Sequence, residues 1–170
     1  GDLGDSMWNK QPVTQEIIYR FPVTAQIALM AVTMGFMMGI PLGIVSALNR
    51  GTWLDNGARF VSISFLAIPN FWLGLMVLLF TVRAFRWMPP LGYNLLWEDP
   101  VTNLVQLFFP SLVIGTGQMA LIARMTRSTM LEVLRVDYIR TARAKGLAER
   151  AVIIRHVMRN SMIPVITIVS

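Results

Sequence analysis

The chain has no cysteine, one histidine and only nine Asp and Glu among 170 residues. Without thiols there is no disulfide framework and no thiol nucleophile. One histidine and so few carboxylates leave no ligand set for a dedicated metal site, and none is expected. Charge as a whole is scarce, at 14% of residues against 55% hydrophobic. That balance lies beyond ordinary globular usage and describes a polytopic membrane protein, which buries its apolar surface mainly in lipid. The chain also lacks a Gly-x-x-x-x-Gly-Lys phosphate loop, so ATP chemistry is not expected within it. Gly1 is no initiator, no basic flank and apolar core form a signal peptide, and Ser170 falls inside a fresh apolar run. The expectation is an internal piece of a larger protein.

What is present is a succession of long apolar runs. Residues 22–48 carry no charge between Arg20 and Arg50. At about 1.5 Å per residue they exceed the hydrocarbon core of about 30 Å. A first span is expected there, tilted or kinked near Gly39-Ile40-Pro41-Leu42-Gly43. Residues 1–21 are polar, with a short amphipathic piece over 15–20 closed by Pro22, and read as an extracytoplasmic surface segment. Residues 50–59 make a turn, and 60–82 a second span interrupted at Pro69-Asn70-Phe71-Trp72, where proline frees a carbonyl that protein or water must satisfy. Residues 83–103, with three prolines and Trp87, Tyr93 and Trp97, suit an interfacial loop. A third span is expected over 104–123, with Pro110, Gly115, Gly117 and Gln118 suited to close helix packing. Residues 162–170 begin a fourth. The fold class is therefore all-α, a polytopic transmembrane helical bundle with three full spans and the start of another. Pro69, Asn70 and Gln118 are the candidate polar or kinking positions of a translocation path.

The positive charge is concentrated. Residues 124–159 hold nine Lys and Arg against Glu132, Asp137 and Glu149, which accounts for the whole formal charge of +6. Inserting nine such side chains would cost on the order of 20 kcal/mol or more, so 124–161 must lie outside the bilayer. Eleven basic residues on the side of this loop against four on the other place it in the cytoplasm by the positive-inside bias. Within it, Leu131, Leu134, Tyr138 and Ala142 repeat at helical steps over 129–145, with Thr129 and Glu132 placed for a capping box. Gly146 is positioned to stop that helix, with Arg143 and Lys145 in its last turn. A second helix is expected over 148–160 with Ala151, Ile154, Val157 and Met158 on its apolar face.

The segment DYIRTARAKGLAERAVIIRHVMRNSMIPV resembles the cytoplasmic loop of ABC-importer permease subunits, in the dipeptide, oligopeptide and nickel branch. GDLGDS at 1–6, GIPLG at 39–43, IPNFWLGL at 68–75 and MLEVLRVDYIR at 130–140 also resemble that branch, specifically the first of its two non-identical permease subunits. Arg140, Thr141 and Ala142 stand where the general importer pattern has Glu-Ala-Ala, and 156–159 do not match its Ile-x-Leu-Pro part. The resemblance implies that the short helix after Gly146 docks in a cytoplasmic ATPase. It makes Ala142, Lys145, Gly146, Leu147, Ala148, Glu149 and Arg150 the coupling residues. It also implies a homologous second permease, two ATPase subunits that hold ATP and Mg²⁺, an extracytoplasmic solute-binding protein, and the plasma or inner membrane of a bacterium or archaeon. This chain would itself carry no cofactor and no catalysis. On that reading the complete protein has one further span before Gly1 and two from Met162 onward.

The competing reading is a membrane scaffold whose basic loop binds lipid. Nucleic acid is not an expected partner, because a stacking groove interleaves aromatics with its basic residues and 124–159 offers only Tyr138. Ion-coupled secondary transport is disfavoured by the absence of charge inside the spans. Cargo stays open among dipeptide, oligopeptide, nickel and glutathione.

Overall fold

The computed structural model describes residues 3–7, 10–90 and 92–169. Gly1 and Asp2 of the GDLGDS motif, and Ser170, lie outside the described residues. The architecture is helical. α1 (Val13–Leu48), α2 (Trp53–Ala67), α3 (Asn70–Phe85) and α4 (Pro100–Val133) are followed by α5 (Asp137–Ala144), α6 (Glu149–Ala151), a π-helical stretch (Val152–Met158) and α7 (Arg159–Val169). By length and composition α1 and α4 are each able to cross a membrane, and α2 with α3 add a third crossing if the bent pair counts as one.

α1 begins well before the expected span. Pro22 does not close the amphipathic piece but sits inside one helix of 36 residues, as does Pro41. Each proline removes one hydrogen bond from the ladder without ending it. The ion pair from Glu16 to Arg20, one turn apart at 2.7 Å, braces the segment before Pro22.

The run 60–82 departs further from expectation. It is two helices bent by 102° across residues 68 and 69. Proline restricts the residue before it to extended conformations. Ile68 accordingly lies at φ −81°, ψ 124° and Pro69 at φ −61°, ψ 133°, two consecutive non-helical residues that break the helix where a single proline would only kink it.

α1 and α4 form the main packing pair. Ala31, Gly35, Gly39, Gly43 and Ala47 recur every fourth residue of α1, and all are buried. A Cβ at Gly39 would stand 2.8 Å from the Met119 carbonyl oxygen, and one at Gly43 2.6 Å from that of Ala123. From the other side, a Cβ at Gly115 would come within 3.0 Å of the Ala31 carbonyl. Lipid supplies no hydrophobic drive between helices, so backbone approach through small residues is how such a pair gains contact. GIPLG is thus a packing surface as much as a proline site.

At the far end, the 86–99 loop is tied down by amides. Asn103 is fully buried, exchanges hydrogen bonds with Gln26 of α1, and donates to the Asn94 carbonyl at 2.6 Å. Gln106 accepts from the Asn94 N–H at 3.1 Å. Asp99 caps α4 by accepting from Thr102 N–H at 3.1 Å, with Pro100 at the first helical position.

Candidate functional site

Beyond α4 the chain makes a compact corner. α4 runs straight through Thr129 to Val133, so the expected capping box does not form. The Thr129 hydroxyl donates instead to the Met125 and Thr126 carbonyls, at 3.0 and 3.2 Å. The break falls at residues 134–136, which resets the register. Ala142 is buried as expected and Leu131 and Leu134 pack partly buried against the same cluster, but Met130 and Ile139 are the fully buried positions and Tyr138 is exposed.

α5 ends on Gly146 at φ +79°, a left-handed conformation that glycine adopts without steric cost. The Leu147 N–H donates to the Ala142 carbonyl at 3.3 Å and the Gly146 N–H to that of Arg143 at 2.9 Å. These are the two bonds of a Schellman motif, which satisfies the last carbonyls of the helix. The role given to Gly146 by its position in the sequence is the one it has.

After the corner the expected apolar face changes. Val157 is fully buried as expected and Met158 packs partly buried beside it, but Ile154 is 54% exposed and Val152, not expected on that face, is fully buried. Residues five apart share a face because this stretch is π-helical, with hydrogen bonds to the fifth residue instead of the fourth. Val152 and Val157 join Ile139, Ala142, Met130 of α4 and Ala47 of α1 in one hydrophobic cluster. The corner is therefore rooted on the ends of both long helices.

Its tip is free. Lys145, Gly146, Leu147, Ala148, Glu149 and Arg150 are all exposed, while Ala142 points inward and anchors the corner from below. Glu149 has a partner within the chain: Arg143 grips it bidentately, Nε to Oε2 at 3.0 Å and Nη2 to Oε1 at 2.5 Å. These hydrogen bonds hold the Glu149 carboxyl below its ordinary value, with slight desolvation acting against them, and raise Arg143. Asn160 on α7 adds a 2.7 Å hydrogen bond to the Tyr138 hydroxyl on α5.

A second constellation escaped the sequence reading. Asp55, in the first turn of α2, is 1% exposed. Arg127 of α4 donates to it through Nε and Nη2, both at 2.8 Å. Ser46 of α1 donates to Oδ1 at 2.6 Å and the Gly51 N–H to Oδ2 at 3.0 Å. One carboxylate thus receives four donors and joins α1, the turn after it, α2 and α4. Asp55 was legible only as one charge in a polar turn, and Arg127 as one of nine basic residues. Their separation of 72 positions gives no local signal.

The three path candidates are placed apart. Pro69 and Asn70 are exposed at the α2–α3 corner. Asn70 borders a mostly apolar cavity of about 440 Å³ between α3 and α4, whose lining includes Thr81, Gln106, Phe109 and Pro110. Gln118 does not reach it. A Cβ on Gly35 would stand 2.8 Å from the Gln118 Cβ, so Gln118 belongs to the α1–α4 contact. Among the described residues no group of three or more His, Cys, Asp or Glu is placed to hold a metal ion.

Comparison with known proteins agrees with this architecture. The family model described as "Binding-protein-dependent transport system inner membrane component" matches residues 39–170. A Brucella abortus (strain 2308) protein, named for a peptide transport system permease, is 40% identical over 168 residues, covering 98% of this chain and 53% of the relative. The Di/tripeptide transport system permease protein DppB of Pseudomonas aeruginosa is 37% identical over 188 residues, 99% of this chain and 56% of its own length. The Dipeptide transport system permease protein DppB of Escherichia coli K12 is 36% identical over 192 residues, with coverage of 99% and 57%. The chain spans about half the length of these curated relatives. With a helical bundle, a rooted corner and the family match over residues 39–170 in agreement, the chain belongs to the binding-protein-dependent transport system inner membrane components.

Proposed function

We propose that this chain is part of the membrane-spanning subunit of an ATP-driven, binding-protein-dependent peptide importer in a bacterial inner membrane. Its corner at 142–150 is the docking point for a cytoplasmic ATPase. The observation that carries this reading is the contrast between tip and root. The tip offers Leu147, Ala148 and Arg150 to solvent, and the root is a core shared with α1 and α4. Force applied at the tip therefore reaches both long helices through buried side chains, as rigid-body gating requires. Hydrolysis belongs to the two partner ATPases, with their ATP and Mg²⁺. A homologous permease and an extracytoplasmic binding protein complete the assembly, and the names of the relatives favour peptides as cargo. The bent α2–α3 pair and the cavity at Asn70 form one wall of the path, and the α1–α4 contact at Gln118 backs it.

The test uses the full-length permease in its assembled complex, carrying Ala148→Cys. Ala148 is preferred to Glu149 because Glu149 already braces the corner through Arg143. A cysteine-directed crosslinker should join position 148 to an ATPase subunit, with a yield that changes on adding ATP. An intact complex in which no ATPase is labelled refutes the docking assignment.

A further inference from the structure

A cleft of about 410 Å³ opens between α1, α2 and α4 near the end where α1 and α4 meet the corner. Its floor is Leu42, Ile63, Leu66, Ala120 and Ala123, and its rim is Arg59, Arg124, Arg127 and Ser128. The two classes are ordered by depth. From Ala120 to Arg127 the lining climbs about 10 Å along α4, at about 1.5 Å per residue, from apolar to cationic. On α2 the sense along the axis is the same, with Arg59 nearer the helix start and the exposed Ile63 and Leu66 about one and two turns further along.

The charges on the rim are not equivalent. Arg127 is matched by Asp55, so that pair is neutral. Arg59 and Arg124 are exposed and in no ion pair among the described residues. Neither acidic side chain of the facing elements cancels them. Asp55 is taken by Arg127, and Glu132 lies in a neighbouring hollow with Arg50 and Arg135. The hydroxyls are committed too: Ser46 to Asp55, Ser62 to the Ala58 carbonyl at 2.9 Å, and Ser128 toward Glu132 at 3.4 Å. Among the described residues two guanidinium groups therefore stand without an acidic partner beside an apolar slot.

We propose that this cleft binds one anionic phospholipid, its phosphate held by Arg59 and Arg124 and an acyl chain lying on Leu42, Ile63 and Leu66. A guanidinium presents a planar fork of donors that fits phosphate bidentately. Basic pockets between membrane helices on the cytoplasmic side are suited to anionic headgroups. A soluble anion would use the rim and leave the apolar floor wet. A lipid satisfies both parts, which is why charge complementarity and the depth order together favour it. A lipid there would rest against the Asp55–Arg127 pair and so against the junction of α1, α2 and α4.

The experiment is native mass spectrometry of the full-length permease complex, released from nanodiscs of phosphatidylglycerol and phosphatidylcholine, comparing the wild type with Arg59→Gln/Arg124→Gln. The double variant should hold phosphatidylglycerol about 30-fold more weakly, the factor matching about 1 kcal/mol per basic side chain at an anionic surface, taken twice. Phosphatidylcholine retention should not change. Arg59→Lys/Arg124→Lys, which keeps the charge, should lose only a few-fold. Equal retention by wild type and the Gln variant overturns the proposal, as does equal retention of the two lipids by the wild type. Displacement by glycerol phosphate, or by an acidic peptide at matching concentration, also overturns it, because either shows a headgroup-only anion site. Should the Gln variant fail to assemble, photoactivatable phosphatidylglycerol on the wild type decides: crosslinks in 58–66 and 120–128 support the site, and crosslinks only elsewhere refute it.

Discussion

The Asp55–Arg127 pair should be asymmetric in what its loss costs. Asp55 has 2% of its side chain exposed and Arg127 23%. With Arg127→Met the carboxylate stays buried, with only the Ser46 hydroxyl and Gly51 N–H as donors. Stranding a buried charge in this way costs about 3 to 5 kcal/mol. With Asp55→Asn the residual charge is the guanidinium, already partly exposed on a long side chain able to reach water, so the cost should be nearer 1 to 2 kcal/mol. The double variant removes both charges. It should be no worse than Arg127→Met alone, so the coupling energy is at least the Asp55→Asn cost, about 1 to 2 kcal/mol. The assay is reversible chemical unfolding of the full-length permease in detergent, read by circular dichroism for all four members of the cycle. Additivity within about 0.5 kcal/mol refutes the clamp. So does a larger loss for Asp55→Asn than for Arg127→Met. A charge swap, Asp55→Arg with Arg127→Asp, should fail to rescue, because the Ser46 and Gly51 donors would then face a cation.

Three further outcomes follow from the geometry. Gly43→Ala should destabilise the permease by about 1 to 3 kcal/mol in the same assay, since the new Cβ would lie 2.6 Å from both the Ala123 carbonyl oxygen and the Thr126 Cβ; the same change at Gly117, with nothing within 4 Å, should cost little. Gly146→Ala places a side chain at φ +79° and should cost about 1 to 2 kcal/mol, seen as faster hydrogen exchange at the amides of positions 146 and 147 with α1–α4 exchange unchanged. The Glu149 carboxyl is lowered by Arg143, so the bracing is fully present above the ordinary value of 4.5 and is lost as pH falls through the depressed one. Both side chains are more than a third exposed, so solvent screening keeps this to about 0.5 kcal/mol. Hydrogen exchange at the corner should accelerate below that pH in the wild type and show no such step in Glu149→Gln.

Features written in short-range sequence were readable. The uncharged run 22–48 announced a helix long and apolar enough to cross a membrane, and α1 and α4 both meet that test. Gly146 announced its own turn, because a glycine closing a periodic segment with basic residues before it meets few alternatives. Also present, though unread, was the four-residue spacing of Ala31, Gly35, Gly39, Gly43 and Ala47. Small residues at that interval mark a helix contact from sequence alone, but which helix they meet does not follow.

Competing local signals decided less well. Pro22, Pro41 and Pro69 are chemically identical breakers. Only Pro69 ends a helix, because Ile68 before it also leaves helical space. Thr129 and Glu132 satisfied the spacing of a capping box yet sit inside α4, where the preceding turn continues the helix and offers the hydroxyl carbonyls instead of free N–H groups. The 148–160 face shifted because π-helical geometry changes the interval at which residues align, and composition does not encode that interval.

The sequence by itself determined the class of the protein, an all-helical chain with apolar runs of membrane length, because transfer of a run of side chains between water and lipid is a sum over residues and needs no partner. Tertiary structure alone decided which polar groups became a site. Asp55 and Arg127 are ordinary surface residues until α1, α2 and α4 close around them, since the strength of a charge pair depends on how completely water is excluded from both partners. The same holds for Arg59 and Arg124, which acquire a purpose only from the apolar slot that the packing of three helices leaves beneath them.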